Sequence, residues 1–232
     1  MKRQAPTKAK IFRRIGTLLI VLLDTRRAPL RQWVRHLPAA DRRAWRAIRH
    51  RQGAKLFLAS RAMALPMARH LDRRNRRLVR LPSGQPILQE GCISISRCYP
   101  FVAFALARRP VGLDLERIRD DDELIAAVSL AFADDEQAMI GCSAFPPGCF
   151  CRTWSRKEAL AKLAGTGICT DLARLDTLRH GDGLHSMRLG GGYWLSVVAS
   201  AAPRQACRQG RGAGIGARSA AEQQGPAWTA AR

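Results

Sequence analysis

The chain has 232 residues, 47% of them apolar, and carries 40 Lys and Arg against 18 Asp and Glu, a net charge of +22. That apolar share supports a real core in one large or two small domains and excludes a chain that is disordered throughout. The seven cysteines are an odd set without C-x-x-C spacing, which suggests neither a disulfide framework nor a zinc site and reads as reduced cytosolic thiols.

The charge is unevenly placed. Residues 1 to 82 hold 23 Lys or Arg against Asp24, Asp41 and Asp72, whereas nine of the eighteen acids fall between Asp114 and Glu136. A positive field of this size attracts nucleic acid, anionic membrane, acidic proteins and phosphate-bearing ligands. Most single arginines are nevertheless read as solvated surface.

Residues 1–14 read as a basic extension, and Ile15 to Leu23 as a buried first strand. The pair imitates a signal peptide, but the apolar run ends in Asp24-Thr25-Arg26-Arg27 with no small-x-small site and is too short to span a bilayer. A helical tract follows from Asp41, its expected N-cap, to Leu71, with Gly53 and Pro66 expected to break it. Arg73 to Arg77 is an exposed loop. Strands are predicted at Cys92 to Arg97 and Phe101 to Ala107, the latter turning through Arg108-Arg109-Pro110 into Val111 to Glu116 as a hairpin.

Asp120 to Glu123 open a helix carrying Leu124, Val128 and Phe132, and Asp134 or Asp135 caps another. Phe145-Pro146-Pro147-Gly148 reads as a loop, Cys151 to Leu163 as a helix ending at Gly165. Two strands are predicted near Leu184 to Leu189 and Tyr193 to Ser200, then a disordered tail from 203 to 232. The order repeats, predicting an α+β fold of two similar halves, an N-terminal subdomain over 15–110 and a C-terminal one over 111–202.

Two stretches carry chemistry. In Val111-Gly112-Leu113-Asp114-Leu115-Glu116, strand alternation puts Asp114 and Glu116 on one face. Magnesium takes such a supply, one or two carboxylates completed by water and substrate phosphate, although a solvated edge strand carries the same pair. In Trp154-Ser155-Arg156-Lys157-Glu158-Ala159-Leu160-Ala161-Lys162, helical spacing sets Trp154, Glu158 and Lys162 on one face; the ordinary reading is a helix ion pair.

Together, V-G-L-D-L-E, then Phe132-x-x-x-Glu136, then W-S-x-K-E-A-x-x-K with Gly165 and Gly167, resemble the 4′-phosphopantetheinyl transferases. The closer resemblance is to the long, monomeric surfactin-synthetase-activating type. Ile93-Ser94-Ile95-Ser96-Arg97-Cys98 stands where that family has a Ser-His pair contacting coenzyme A, with Arg97 in place of the histidine, and Gln85 stands where a phosphate-binding lysine is common.

The resemblance implies a fold of two α/β subdomains related by a pseudo-two-fold, in a monomer. It implies transfer of the 4′-phosphopantetheine arm of coenzyme A to a serine of an acidic apo acyl or peptidyl carrier protein, releasing 3′,5′-adenosine bisphosphate. Asp114, Glu116 and Glu158 would hold magnesium, Lys162 would meet the departing phosphate, and Glu136 or Glu158 would accept the serine proton. Arg51, Arg61, Ser96, Arg97, Lys157 and Lys162 would contact the coenzyme. No membrane and no specific nucleic-acid partner is expected. The rival readings are a metal-dependent nuclease, disfavoured because Glu158 and Lys162 lie four apart on a helix, and a non-catalytic basic nucleic-acid-binding protein, which leaves the motifs unexplained.

Overall fold

The first apolar run folds as half of a hairpin. β1 (Lys10–Ile15) turns at Gly16, whose φ of +54° favours a residue without a Cβ, into β2 (Leu18–Asp24). The computed structural model describes residues 10–201 apart from 28–29, 36, 82–83, 122–130, 166–170 and 181–182. Three helices follow, α1 (Leu30–Val34), α2 (Ala39–Ala47) and α3 (Arg51–Leu71), then the short pair β3 (Leu78–Arg80) and β4 (Pro86–Leu88). β5 (Cys92–Cys98) and β6 (Phe101–Ala107) form a hairpin, and β7 (Val111–Arg117) leads to α4 (Asp134–Gly141), α5 (Pro146–Ala164), β8 (Leu184–Leu189) and β9 (Tyr193–Ala199).

The larger strands make two antiparallel sheets, ordered β1-β2-β6-β5 and β7-β9-β8. They face one another across a core of Leu18, Ile20, Ala103, Ala105, Leu113, Leu115, Leu195 and Val197. On its other face the first sheet packs Val21, Leu23, Ile93, Phe104 and Leu106 against Leu58 and Met63 of α3. Strand β2 is therefore covered on both faces, which is why its sequence is a continuous apolar run and not an alternation. α5 covers the outer face of the second sheet through Ala159, Leu160, Leu184 and Val198.

The architecture is mixed α+β, as expected, and several local expectations are corrected. The strand expected at Ile15 to Leu23 is split at Gly16, and extended structure starts at Lys10, inside the segment read as an extension. The helical tract breaks at 48–50, not at Gly53 or Pro66. Gly53 lies in the first turn of α3, its N–H donating to the His50 ring 3.3 Å away, and Pro66 sits on an exposed flank of the helix. Asp41 is a first-turn residue of α2, whose N-cap is Pro38. β7 does not pair with β6: it crosses to the second sheet and pairs with β9. Pro146 and Pro147 open α5, where a missing N–H costs no helical bond, and Gly148 leaves room for the Phe145 ring, which an added Cβ would meet at 2.3 Å. The helix predicted from Asp120 falls largely in 122–130, and with Gly167 and the tail from 203 it lies outside the described residues.

Candidate active site

The site is built where β7 passes beneath α5. The close approach is set by Gly112: an added Cβ would lie 1.9 Å from the Ala159 carbonyl oxygen, so only glycine lets the helix backbone rest on the strand. Gly165, at a φ of +74°, ends α5 in the left-handed conformation and abuts the Gln85 side chain from the β3–β4 hairpin. The helix is thus seated on the strand near both Glu158 and Lys162.

Asp114 is buried and sits at the centre. Its Oδ1 accepts from Lys162 Nζ at 2.5 Å and from Ser96 Oγ at 2.9 Å, while Oδ2 is buried with no hydrogen-bond partner among the described residues. Lys162 Nζ also lies 3.8 Å from Glu158 Oε2. Ser96 Oγ accepts the Leu115 N–H at 3.2 Å, and Ser94 Oγ accepts that of Leu113 at 3.0 Å. The alternating serines of β5 thereby stand in for backbone acceptors that β7 lacks on that side, tying one sheet to the other.

Burial, then the charge of Asp114, pushes Glu116 up to about 8, with Glu158 adding to the effect and Lys162 and Arg119 opposing it. Glu158 is also raised, chiefly by burial, with Lys162 opposing. For Lys162 burial works against the charge, but Asp114, Glu158 and Glu116 outweigh it and hold the ammonium above its ordinary value. Three carboxylates thus gather around one lysine, and the cluster is short of positive charge.

The resemblance implies a divalent metal here, and the residues fit one by their chemistry: hard oxygen donors, a buried unpartnered carboxylate oxygen, and surplus negative charge. They do not form a closed cage. Among the described residues no group of three His, Cys, Asp or Glu side chains is by itself arranged to hold a metal ion. An open set is what magnesium tolerates, since it keeps several waters and substrate oxygens.

Other expected residues are placed elsewhere. Glu136 and Lys157 are both fully buried and pair with each other at 2.6 Å. Glu136 Oε1 accepts the Thr177 N–H and hydroxyl at 2.8 and 2.7 Å, and Oε2 accepts the Ala133 N–H at 3.0 Å, fastening the start of α4. Lys157 Nζ donates to the carbonyls of Leu172 and Leu175, each at 2.7 Å. Every polar atom of this pair is engaged in holding α4, α5 and the 172–177 segment together, so neither the Glu136 carboxylate expected to accept a proton nor the Lys157 ammonium expected to contact the coenzyme joins the acid cluster.

Ser96 and Arg97 lie on opposite faces of β5. Ser96 points to β7, whereas Arg97 is on the α3 side, exposed, with its guanidinium held below the ordinary value by partial desolvation and by the charge of Arg61. Arg61 stacks on Phe57 at 4.9 Å, approaches Asp41 at 3.6 Å, and lines a recess of about 590 Å³ with Arg69, Arg76, Arg77 and Arg80. β5 is an edge strand of its sheet, and its serines turn that edge toward β7. Arg51 is ten residues from Arg61 on α3, about 15 Å along the axis, and the two do not converge.

Sequence reasoning missed the coupling of Ser96 to Asp114, although the alternation Ile93-Ser94-Ile95-Ser96 signals one polar and one apolar face. It also missed two thiols beside the acids. Burial and then the charge of Glu116 push Cys98 up to about 12, and Cys151 is raised for the same reasons. That Arg69, Arg76, Arg77 and Arg80 share a recess is not legible either, because nothing in a run of arginines tells which of them converge.

Residues 110–207 match the family model of the 4′-phosphopantetheinyl transferase superfamily, a span that begins one residue before β7 and includes α4, α5, β8 and β9. A comparison of the chain with curated proteins finds no match.

Proposed function

We propose that the chain, whose residues 110–207 match the family model of the 4′-phosphopantetheinyl transferase superfamily, moves the phosphopantetheine arm of coenzyme A to a serine of an apo carrier protein in a magnesium-dependent reaction. The observation that carries this reading is the junction of Asp114 and Glu116 on β7 with Glu158 and Lys162 on α5, where one buried Asp114 oxygen has no partner among the described residues.

Asp114, Glu116 and Glu158 would hold the magnesium, with Ser96 orienting the Asp114 carboxylate. The metal, when bound, supplies positive charge at the pyrophosphate as its P–O bond breaks. Lys162 would offer a second cation to the departing 3′,5′-adenosine bisphosphate, and is within reach because its Asp114 bond leaves the side chain 30% exposed. The serine oxygen forms the new P–O bond, and its proton passes to Glu158, directly or through a water; Glu136 has no free oxygen for that step. The recess beside Arg61 and Arg97 would receive the remaining coenzyme phosphate. An acidic carrier would be steered by the basic first third of the chain.

The test is to incubate the purified protein with coenzyme A, magnesium and apo carriers of fatty acid, polyketide and peptide synthesis, and to read the carrier mass. Gain of one phosphopantetheine group, lost on chelation and in Asp114→Ala, is the expected result. No gain on any carrier from a folded protein that binds magnesium would overturn the reading.

A further inference from the structure

A second basic recess lies at the opposite rim of the sandwich, where the edge strands β1 and β8 meet the first half of α5. It encloses about 400 Å³ and, among the described residues, is lined by Arg13, Arg152, Arg156 and His185, with Ile15, Leu184 and Met187 as apolar walls and no acid. Arg156 and Glu158, two residues apart on α5, project from roughly opposite sides of the helix, so this recess does not share the face of the acid cluster.

The cations here are positioned but, among the described residues, make no direct ion pair. Arg156 is tethered by its Nη2, which donates to the Thr177 carbonyl at 2.8 Å, and its Nε is buried with no hydrogen-bond partner among the described residues. Arg152 lies 5.7 Å over the Trp194 ring. Burial and then the charge of Arg152 hold Arg156 below the ordinary guanidinium value, with the buried Glu136 carboxylate opposing them only in part. Among the described residues neither of them, nor Arg13, forms a salt bridge with a carboxylate, although Asp and Glu elsewhere take up arginines 26, 61, 74, 174 and 179.

We propose that this recess between β1, β8 and α5 is a phosphate-binding site, taking a phosphate dianion, free or at the end of a small organic group. Planar guanidinium forks match phosphate oxygens, and a bound dianion supplies the partner that Arg156 Nε lacks. The inference is independent of the transfer reaction, since it uses none of the residues assigned to it.

Met187 lines the recess and provides a local probe. The full chain, labelled at its methionine methyl groups, would be titrated with inorganic phosphate and separately with phenyl phosphate at constant ionic strength, with the Met187 signal assigned through Met187→Leu. The expected result is a saturable Met187 shift, with affinity at least tenfold weaker in Arg152→Gln and in Arg156→Gln. Equal affinities for the two ligands identify the free ion, and tighter binding of phenyl phosphate identifies a monoester seated on Ile15 and Leu184. Arg156 also fastens Thr177, so its variant is judged only if the other methionine signals are unmoved; the exposed Arg152 carries the test regardless. A linear, non-saturating shift with both ligands, or unchanged saturation in Arg152→Gln, would overturn the proposal.

Discussion

Ser96 on β5 and Asp114 on β7 are joined by a 2.9 Å hydrogen bond in which the same hydroxyl oxygen also receives the Leu115 N–H. The serine thus fixes both the acid and the strand that bears it. Removing it leaves a buried N–H and a carboxylate oxygen each short of a partner, at about 1–2 kcal/mol. Ser96→Ala should therefore lower the transfer rate about 5- to 30-fold and raise the magnesium concentration needed for half-maximal rate, read from initial rates across a metal titration. An unchanged metal requirement would show that Ser96 does not orient the carboxylate.

Lys162 is the cation drawn closest into the acid cluster. Lys162→Met should cost at least about a hundredfold in rate, the scale of losing one charge that stabilises a departing phosphate. It should leave carrier affinity nearly unchanged. Steady-state kinetics that separate kcat from KM decide between this and a role in docking.

The pH dependence of the metal-free protein follows from Glu116 and Glu158, both raised. An acid with a raised folded pKa binds its proton more tightly when folded, so its contribution to stability is present below the ordinary carboxylate range and is lost as pH rises toward about 8, the value for Glu116. The melting temperature in chelator should fall by a few degrees, at about 2–4 °C per kcal/mol, between about pH 5 and about pH 8. Magnesium at the upper pH should restore it, and Glu116→Gln should flatten the profile in calorimetric scans.

The Lys157–Glu136 pair gives a contrasting prediction, because its role is to hold segments together. Lys157→Met strands a buried carboxylate and should destabilise the protein by about 3–5 kcal/mol. Adding Glu136→Gln, which removes the charge but keeps an acceptor for Thr177, should recover much of the loss in urea unfolding. Magnesium affinity should stay within a few-fold of wild type in the double variant.

The legible parts of this fold are those whose signal is local. The strands at 92–98, 101–107, 184–189 and 193–199 declared themselves by apolar content and flanking turns, and α5 ended at Gly165 as its left-handed φ requires. The partner of β7 was not legible: a tight Arg-Arg-Pro turn resembles a hairpin, and only the packing of two sheets sends the strand to β9. The same limit divided the site. Asp114, Glu116, Glu158 and Lys162 follow from periods of two and four, but Glu136 and Lys157 differ from them only by being enclosed, which depends on where the 172–177 segment returns.

Gly112 sets the gauge of the whole arrangement. The acids arrive on two separate pieces of chain, and what brings them into register is the absence of a side chain where strand and helix touch. A methyl group there would act as a shim, lifting α5 and carrying Glu158 and Lys162 away from Asp114 while every charged residue kept its identity. The reach of the site is therefore written in a position with no functional group, and a homologous chain that keeps all four charged residues but lacks this glycine would need a different fit between helix and sheet to work.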